Sequence, residues 1–524
     1  MNYSHRKHLF ALVLFSALAV PAQLFAQAPP KLPRYKLVDL GTLGGPHSYG
    51  SVNGEGFQLL NDAGVVSSFA DTSSPDPSAP AFCYNLDCFM SHAFRWKDGV
   101  LTDLSALPGM NSSAAGSINA RGWSTGQSQI AMIDPAIGIP EYRAVAWNQD
   151  GIMNLGTLPG GTESLGIYIN DSGQVIGFSD NGVPDPFSFP FFFTGTQIHT
   201  FIWENGVMRD IGTLGGPDAV PGTSCSGQSR NVIVGLSYTS FTPNPTTGIP
   251  TLDPYIWKNG VMADLGNLGG TISGVGPNGI AAGPLVPCAN NQGQVIGVSN
   301  LPGDVISHAF FWEDGVMTDL GTLGGDNSEA IWINDAGDVA GSADLPGSQT
   351  HDAVLWRKGK IHDLGTVAGD PCSRGLAINA RGQVVGGTSD CGNFLHAFLW
   401  EAGGPMLDLN TVIPPSSGLQ LLEAININDR GEILAISVPV GAIPNTDLGR
   451  LVLLIPCDSE TAEGCGGSTA ATSTALASSS APTLNRAGLV RPPQASLTPR
   501  EKVAAMREQM LRRYHLNGLS TPKN

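Results

Sequence analysis

Short apolar runs separated by glycine-containing turns recur along this chain, and one complete unit lies at residues 308–348. A compact apolar run ends at Trp312 and is followed by Asp314-Gly315, a dipeptide suited to a tight hairpin. A second run follows, and two further runs are joined by a turn that begins at Asn334. The pattern predicts four short antiparallel strands with apolar side chains on both faces. Such a sheet cannot bury both faces alone, so it must stack on copies of itself.

Copies of the unit can be aligned by two landmarks. A tryptophan ends the first strand of most units, with neighbours 44 to 56 residues apart, at Trp96, Trp147, Trp203, Trp257, Trp312, Trp356 and Trp400. The turn of the second hairpin starts with asparagine, three residues before a glycine, at Asn61, Asn119, Asn170, Asn290, Asn334, Asn379 and Asn428. These landmarks, which we interpret as structural, indicate eight units between about residues 35 and 455.

The two ends of the array complete one another. The segment 35–43 resembles a second strand that lacks its first, and 450–455 resembles a first strand that lacks its second. A closed ring pairs these two strands, whereas an open array would leave both edges unpaired. We therefore predict an all-β fold, a β-propeller of about eight four-stranded blades in which the N-terminal strand completes the last blade. A seven-bladed ring with one displaced unit is the alternative.

Four segments are predicted along the chain. Residues 1–28 have the charged start, apolar core and small-residue cleavage zone of a signal peptide. The propeller occupies 29–458, a Ser/Thr/Ala/Pro-rich linker 459–497, and a basic amphipathic helix 498–516. This helix is expected to contact an anionic surface or the acidic ring, or to remain a tethered tail. Since no later segment is apolar enough to span a bilayer, we expect a secreted or periplasmic protein.

Composition narrows the range of partners. Between residues 8 and 483 the chain has 17 Lys and Arg against 42 Asp and Glu. So acidic a surface repels a phosphate backbone, which argues against nucleic acid as a partner. The partner class expected from the sequence is a glycan or a protein.

The eight cysteines suit disulfides in an oxidising compartment. Their positions lead us to predict four pairs, of which the second is the least determined by the sequence: Cys83–Cys88, Cys225–Cys288, Cys372–Cys391 and Cys457–Cys465. The clustered Cys-x-x-Cys spacing of a zinc site is missing.

Candidate catalytic groups give no clear reaction. The strand that ends in the landmark tryptophan is the third strand of a predicted blade. It begins with histidine in four units, at His92, His199, His308 and His396, but with arginine or aspartate in others. The Asp of the Asp-Leu-Gly strand recurs in nearly every unit, whereas catalysis needs one or two unique groups. We therefore assign both positions to structure. We find no catalytic motif and expect no cofactor and no metal site.

Long loops offer the best candidate surface. Four connections that open on one face of the predicted ring are long, at 71–91, 129–142, 180–198 and 238–252, whereas the later ones are short. The third contains a phenylalanine cluster and two acidic residues, which we take as the candidate ligand-facing set: Phe187, Phe189, Phe191, Phe192, Phe193, Asp180 and Asp185. The alternative is that these phenylalanines pack onto neighbouring blades.

The recurring His-Ala-Phe, Asp-Leu-Gly-Thr-Leu-Gly-Gly and Ile-Asn-x-x-Gly-x-Val segments resemble the bacterial extracellular repeat family named for its His-Ala-Phe (HAF) motif. The resemblance covers residues 35–455, and it implies an exported repeat protein without a known reaction or catalytic residue. The units around Cys225 and Cys288 depart from the pattern, so we expect those blades to be distorted. We predict a ligand- or partner-binding module. The alternatives are a polysaccharide-active enzyme on the same scaffold and a purely structural surface protein.

Overall fold

Eight antiparallel sheets follow one another along the described residues of the computed structural model, which are 33–50, 57–79, 83–109, 112–134, 139–188, 195–226, 232–274 and 287–457. Together they form a β-propeller, which confirms the predicted fold and the count of eight blades. The predicted signal peptide, the linker, the basic helix and Cys465 lie outside the described residues.

The first four blades follow an N-terminal strand, β1. The strand bounds are β1 Tyr35–Asp39; blade 1, β2 Gly44–Tyr49, β3 Val66–Pro75, β4 Phe89–Lys97, β5 Val100–Asp103; blade 2, β6 Ser113–Ile118, β7 Ser124–Ile133, β8 Pro140–Asn148, β9 Gly151–Gly156; blade 3, β10 Ser164–Ile169, β11 Val175–Pro184, β12 Thr196–Glu204, β13 Val207–Asp210; and blade 4, β14 Ala219–Pro221, β15 Thr223–Ser226, β16 Val232–Tyr238, β17 Leu252–Lys258, β18 Val261–Asp264.

The remaining blades have shorter connections. Their strands are, for blade 5, β19 Cys288–Asn290, β20 Val295–Asn300, β21 Ser307–Glu313, β22 Val316–Asp319; blade 6, β23 Ser328–Ile333, β24 Val339–Asp344, β25 His351–Arg357, β26 Lys360–Gly365; blade 7, β27 Cys372–Ile378, β28 Val384–Ser389, β29 Phe394–Trp400, β30 Leu407–Asp408; and blade 8, β31 Leu419–Ile427, β32 Ile433–Pro439, β33 Arg450–Pro456. Single 3₁₀ turns lie at Leu409–Thr411, Pro415–Ser417 and Thr446–Leu448.

The chain closes the ring with its two ends. Strand β1 pairs antiparallel with β33, in register from Tyr35 opposite Pro456 to Asp39 opposite Val452. It is therefore the outer strand of blade 8, whose order is β31, β32, β33, β1. The predicted composite blade is confirmed.

The propeller has a bottom face and a top face. The bottom face holds the Asn-initiated turns and the hairpins between the third and fourth strands. The top face holds the crossover to the next blade and the link between the second and third strands. The long connections of blades 1 to 4 all open on the top face.

A glycine in the second strand is required by a close backbone approach. In blade 6 the inner strand has a register shift between Ala330 and Trp332. A Cβ added to Gly341 would stand 1.9 Å from the carbonyl oxygen of Glu329, and Gly386 meets the same obstacle in blade 7. No side chain fits there, because real Cβ atoms do not approach backbone so closely.

The tryptophans pack in the layers between blades. Trp96, Trp147 and Trp356 are buried, and all seven predicted landmark tryptophans lie in or against apolar core clusters. The Trp356 indole N–H also donates to the carbonyl oxygen of Leu320 in the preceding blade, at 2.9 Å. A buried indole therefore keeps its hydrogen bond.

A belt of asparagines joins the blades at the bottom. Each Oδ1 accepts backbone N–H groups two and four residues later, as Asn334 does from Ala336 and Asp338 at 3.0 Å. Most of the Nδ2 groups donate to the carbonyl oxygen of the next blade's asparagine: Asn61 to Asn119, Asn119 to Asn170, Asn290 to Asn334, Asn334 to Asn379, Asn379 to Asn428 and Asn428 to Asn61. The last of these bonds crosses the ring closure.

Blades 4 and 5 are distorted, as expected. The inner strand of blade 4 divides after β14, and β15 pairs in parallel with β19 of blade 5. The disulfide Cys225–Cys288 covalently links the two blades at this place. Two further predicted disulfides are present, Cys83–Cys88 and Cys372–Cys391. Within the described chain, no helix is long and apolar enough to cross a membrane.

Candidate functional site

Phe187 is the one member of the predicted phenylalanine cluster that lies within the described residues. Phe187 is half-buried and packs against the apolar core of blades 1 to 4, and its carbonyl oxygen accepts from the Tyr238 hydroxyl at 3.3 Å. This contact agrees with the packing alternative for Phe187. Phe189, Phe191, Phe192 and Phe193 lie outside the described residues.

The two acidic residues of the same loop are buried. Asp180 accepts the backbone N–H groups of Thr162 and Glu163 at 2.8 Å, which fixes the crossover loop of its own blade. Asp185 accepts the N–H of Phe187 at 3.0 Å, and its Oδ2 has no hydrogen-bond partner among the described residues. Burial raises the pKa of both carboxyl groups. Asp180 therefore serves the loop rather than the surface.

Three of the recurring histidines bond the aspartate of the adjacent strand, whereas His396 bonds Asp370 in the crossover before its blade, at 2.7 Å. Nδ1 of His199 lies 2.7 Å from Asp210, and Nδ1 of His308 lies 2.8 Å from Asp319, on the adjacent strand. Each such aspartate also accepts the N–H two residues later, as Asp319 does from Gly321 at 2.7 Å. These contacts explain both repeated positions by strand and turn structure.

Exposed large apolar side chains fall into two groups. Val100, Val207, Val261 and Val316 occupy the same place in the bottom hairpin of four blades. The others, which are 43 to 87 % exposed, all lie at the top ends of the blades, on the connections or on the strand ends that lead into them: Leu86, Met132, Ile133, Val183, Phe241, Val305, Val440 and Ile443. We call this second set the apolar rim. Each of six successive blades, blade 8 and blades 1 to 5, contributes one or two of its members.

A polar cluster of a different kind lies on the top face of blade 1. His47 Nδ1 is 2.8 Å from Asp87 Oδ2 and 3.6 Å from Asp71 Oδ2. The Tyr49 hydroxyl lies 3.0 Å from each Asp71 oxygen and 3.2 Å from Asp87 Oδ2. Ser91 Oγ donates to Asp71 Oδ1 at 2.9 Å.

Local structure positions these groups from three directions. His47 lies in β2, the inner strand of blade 1, and its own N–H donates to Asp71 Oδ2 at 3.0 Å. Asp71 lies in the upper half of β3, and Asp87 belongs to the long link between β3 and β4. The Cys83–Cys88 disulfide closes this link. Asp76 stabilises it further by accepting the N–H of Tyr84 at 2.9 Å.

Burial sets the electrostatics of the cluster. Asp71 is fully buried, and burial together with the neighbouring Asp87 raises the pKa of its carboxyl group to about 7. Burial opposes ionisation of Asp87 too, but its hydrogen bonds with Asp71 and His47 outweigh that effect and lower its pKa. Burial and the two carboxylates also raise the pKa of Tyr49. Asp71 and Tyr49 are therefore costly to ionise, whereas Asp87 is the carboxyl group of the pair that ionises more readily.

No sequence motif predicts His47, Tyr49 or Asp87 as site residues, but one variable position in the repeat indicates where His47 lies. The residue before the inner-strand serine or alanine differs between units, and it is His47, Ser112, Glu163, Asp218, Asn327 or Cys372. The landmarks around it are constant. A position that varies inside a constant frame marks a place where blades can acquire individual chemistry.

Comparisons with known proteins bear on the fold. No protein-family model matches this chain, and no curated protein matches it. Among solved structures, Porphyromonas gingivalis dipeptidyl peptidase 4 matches 75 % of this chain and 58 % of its own, at 8 % identity and a TM-score of 0.42. An acylaminoacyl peptidase from Pyrococcus horikoshii matches the same shares at 11 % identity and a TM-score of 0.37. The chain thus spans 58 % of the length of these two peptidases.

An ulvan lyase, described as a new family of polysaccharide lyase, matches a larger share of its own chain. It covers 79 % of this chain and 95 % of its own, at 9 % identity and a TM-score of 0.35. At these identities and TM-scores, the likeness to all three structures concerns the fold alone.

Proposed function

We propose that this chain is an exported β-propeller that binds a protein partner through its top face. The observation that carries the proposal is the apolar rim. Large exposed apolar side chains outside the repeated bottom hairpins lie on the top face in six successive blades. Apolar side chains that gather on one surface are typical of interaction sites.

The composition of the rim favours a protein over a glycan. Seven of its eight side chains are aliphatic or methionine, and Phe241 is the one aromatic. Glycan sites usually need flat aromatic faces together with polar groups, whereas the buried centre of a protein interface is mainly apolar and enriched in methionine. The excess of acidic over basic residues between positions 8 and 483 adds a preference for a partner with a basic border.

The carboxyl pair of blade 1 gives less support to a polysaccharide-active enzyme. Glycoside hydrolysis uses two carboxyl groups about 5 to 9.5 Å apart. Asp71 and Asp87 both contact the single hydroxyl of Tyr49, and the ligand atoms of the cluster lie within 4.8 Å of one another. This spacing is shorter than the one that either glycoside-hydrolysis arrangement uses.

Export and family membership are parts of the same proposal. The signal-like segment 1–28, the disulfides and the HAF resemblance all support an extracytoplasmic repeat protein. Disulfides persist in oxidising compartments, so three of them in the described chain are consistent with the periplasm or the cell exterior.

Site-directed photocrosslinking tests the partner-binding proposal. A benzoyl-phenylalanine placed at Phe241, on the rim, is expected to crosslink one protein in the producing cells. The same group at Val316, in a bottom hairpin, should not. With the crosslinked protein purified, Phe241→Asp should weaken its binding at least about fivefold in Kd, since aromatic anchors at interfaces contribute more than about 1 kcal/mol.

Two outcomes would contradict the proposal. Equal crosslinking from Phe241 and Val316 would show that the top face is not the binding surface. Binding to a polysaccharide panel that Phe241→Asp leaves intact, with no protein crosslinked, would favour a glycan-active role. Val316→Asp serves as the matched control for solubility, because Val316 is 63 % and Phe241 58 % exposed.

A further inference from the structure

The three groups His47, Asp71 and Asp87 have the spacing of metal ligands. The nitrogen of His47 lies 2.8 Å from one carboxylate oxygen and 3.6 Å from the other. Donor atoms around a tetrahedral zinc ion, bound at about 2.0 to 2.1 Å, stand about 3.3 Å apart. We propose that this cluster binds one divalent transition-metal cation of the zinc class, with Tyr49 or water as a fourth ligand.

The kinds of donor atom select this class of ion. One imidazole nitrogen with two carboxylate oxygens suits zinc and its neighbours in the first transition series. Calcium prefers six to eight oxygen ligands and gains little from a nitrogen. The described chain has no free cysteine to compete for a soft metal.

The carboxyl groups of Asp71 and Asp87 lie close together around the Tyr49 hydroxyl. Its oxygen is within 3.2 Å of both, and a tyrosine hydroxyl has one hydrogen to donate. When both carboxyl groups are ionised, their negative charges repel at this short distance, and Asp71 is fully buried. A cation at this place would remove that repulsion.

The outer partners hold the ligands in place. Asp71 is fixed by the N–H of His47 at 3.0 Å and the hydroxyl of Ser91 at 2.9 Å. The second oxygen of Asp87 accepts the N–H of Phe89 at 3.3 Å. Such outer-shell hydrogen bonds orient metal ligands in known sites. Each carboxylate is thus oriented by the fold and does not depend on the ion for its position.

Blade 1 differs here from the rest of the described chain. It holds the one group of three His, Cys, Asp or Glu side chains whose ligand atoms approach within 4.8 Å in the described residues. The pair His308–Asp319 has the same 2.8 Å spacing, but no third ligand was found beside it. These repeated pairs therefore provide natural controls within the same molecule.

A bound ion would have a structural consequence for the top face. Asp87 follows Leu86, which belongs to the apolar rim and is 61 % exposed. A metal that links Asp87 to His47 would attach the long link between β3 and β4 to the inner strand of blade 1. The proposal stands without the partner-binding function, because it rests on the ligand geometry alone.

Zinc titration of the tag-free protein tests the site. After removal of metals with a chelator and dialysis, calorimetric titration with zinc chloride should give one tight site per chain. Asp87→Asn is expected to weaken that site more than about 100-fold, since loss of an outer-shell partner alone costs about 10- to 100-fold. His308→Gln, which breaks a two-group pair of the same spacing, should leave the tight site unchanged.

The absorption edge of zinc gives a second readout on the unaltered protein. One imidazole and two or three oxygen ligands are expected, so the test survives even if Asp87→Asn fails to fold. Absence of a tight site, or a tight site that Asp87→Asn and His47→Gln both retain, would overturn the proposal. Equal binding of calcium would also overturn it, because it would show an oxygen site for a hard cation.

Discussion

At the bottom of the ring the same side chain recurs, whereas at the top the corresponding position differs from blade to blade. The bottom asparagines accept two N–H groups of their own turn and donate to the next blade. In blades 2, 3, 4, 6 and 7, the top position directly before the inner-strand serine or alanine also accepts an N–H from the preceding blade. It does so through very different atoms, such as Ser112 Oγ from Ser91 at 3.2 Å, or Asp218 Oδ1 from Ile198 at 2.8 Å.

The difference follows from the number of hydrogen bonds that each position must satisfy. The bottom turn needs two accepted bonds and one donated bond from a single short side chain, and asparagine supplies them through a carbonyl oxygen and a separate NH₂ group. The top position needs one acceptor, which serine, glutamate, aspartate, asparagine and cysteine all provide. The repeated asparagine turns at the bottom therefore stabilise every blade in the same way, whereas the residue at the top position can differ in chemistry between blades.

Among these substitutions, loss of one belt asparagine is expected to destabilise the protein most. Asn334→Ala removes two accepted bonds and one donated bond at a residue that is 2 % exposed. Stranded buried groups cost about 1 to 3 kcal/mol each, so we expect a loss of about 3 kcal/mol, read as a lowered midpoint in urea. On the top face, Asn393→Ala at an exposed turn should change stability by less than about 0.5 kcal/mol.

A similar loss from both asparagine variants would break the comparison between the faces. It would show that the belt bonds contribute no more than a surface turn. Far-ultraviolet circular dichroism of each variant before unfolding confirms that the starting state is the same.

The repeated part of this molecule could be predicted from its sequence because local rules act in every unit. Strand order, the composite blade and the Cys83–Cys88 pair follow from alternation, turn residues and short separations. The hydrogen bond that Asn334 donates to Asn379 was not predicted. A turn motif indicates the hydrogen bonds within the turn, whereas this bond forms between two blades and depends on how they stack.

The candidate metal cluster escaped prediction for a different reason. His47 is 24 residues from Asp71 and 40 from Asp87, and no local pattern links them. They meet because the top end of the inner strand and the long link lie on one face of the same blade. The same geometry explains Asp180, which was expected at the ligand face but is held inside by two backbone N–H groups.

The variable top position is expected to make stability depend on pH. Burial raises the pKa of Glu163 from 4.5 to about 9, so between these values the folded protein keeps a proton that the unfolded chain releases. Stability should therefore fall as pH rises, by up to about 1.4 kcal/mol per pH unit from this group. Glu163→Gln is neutral at every pH and should flatten the curve of urea midpoints between pH 5 and 8.5.

An internal control accompanies this measurement. At pH 4 Glu163 is protonated in the folded protein and mostly protonated in the unfolded one, so the difference between wild type and variant should be smallest there. Parallel curves at every pH would show that Glu163 ionises freely in the folded protein. The top position would then be as indifferent to pH as the asparagine belt.

The smallest expected effect belongs to the histidine pairs on the strands between the two faces. The hydrogen bond to Asp319 raises the pKa of His308, although burial opposes it. Its contribution to stability is present below the ordinary histidine pKa and is lost as pH rises past the raised value. Because Asp319 is 40 % exposed, His308→Gln should cost at most about 1 kcal/mol at pH 5.5 and less at pH 8.5. A cost in stability that does not change between the two pH values would show that the pair acts through packing alone. A cost as large as that of Asn334→Ala would show that the pairs on the strands stabilise the fold as much as the bottom turns do.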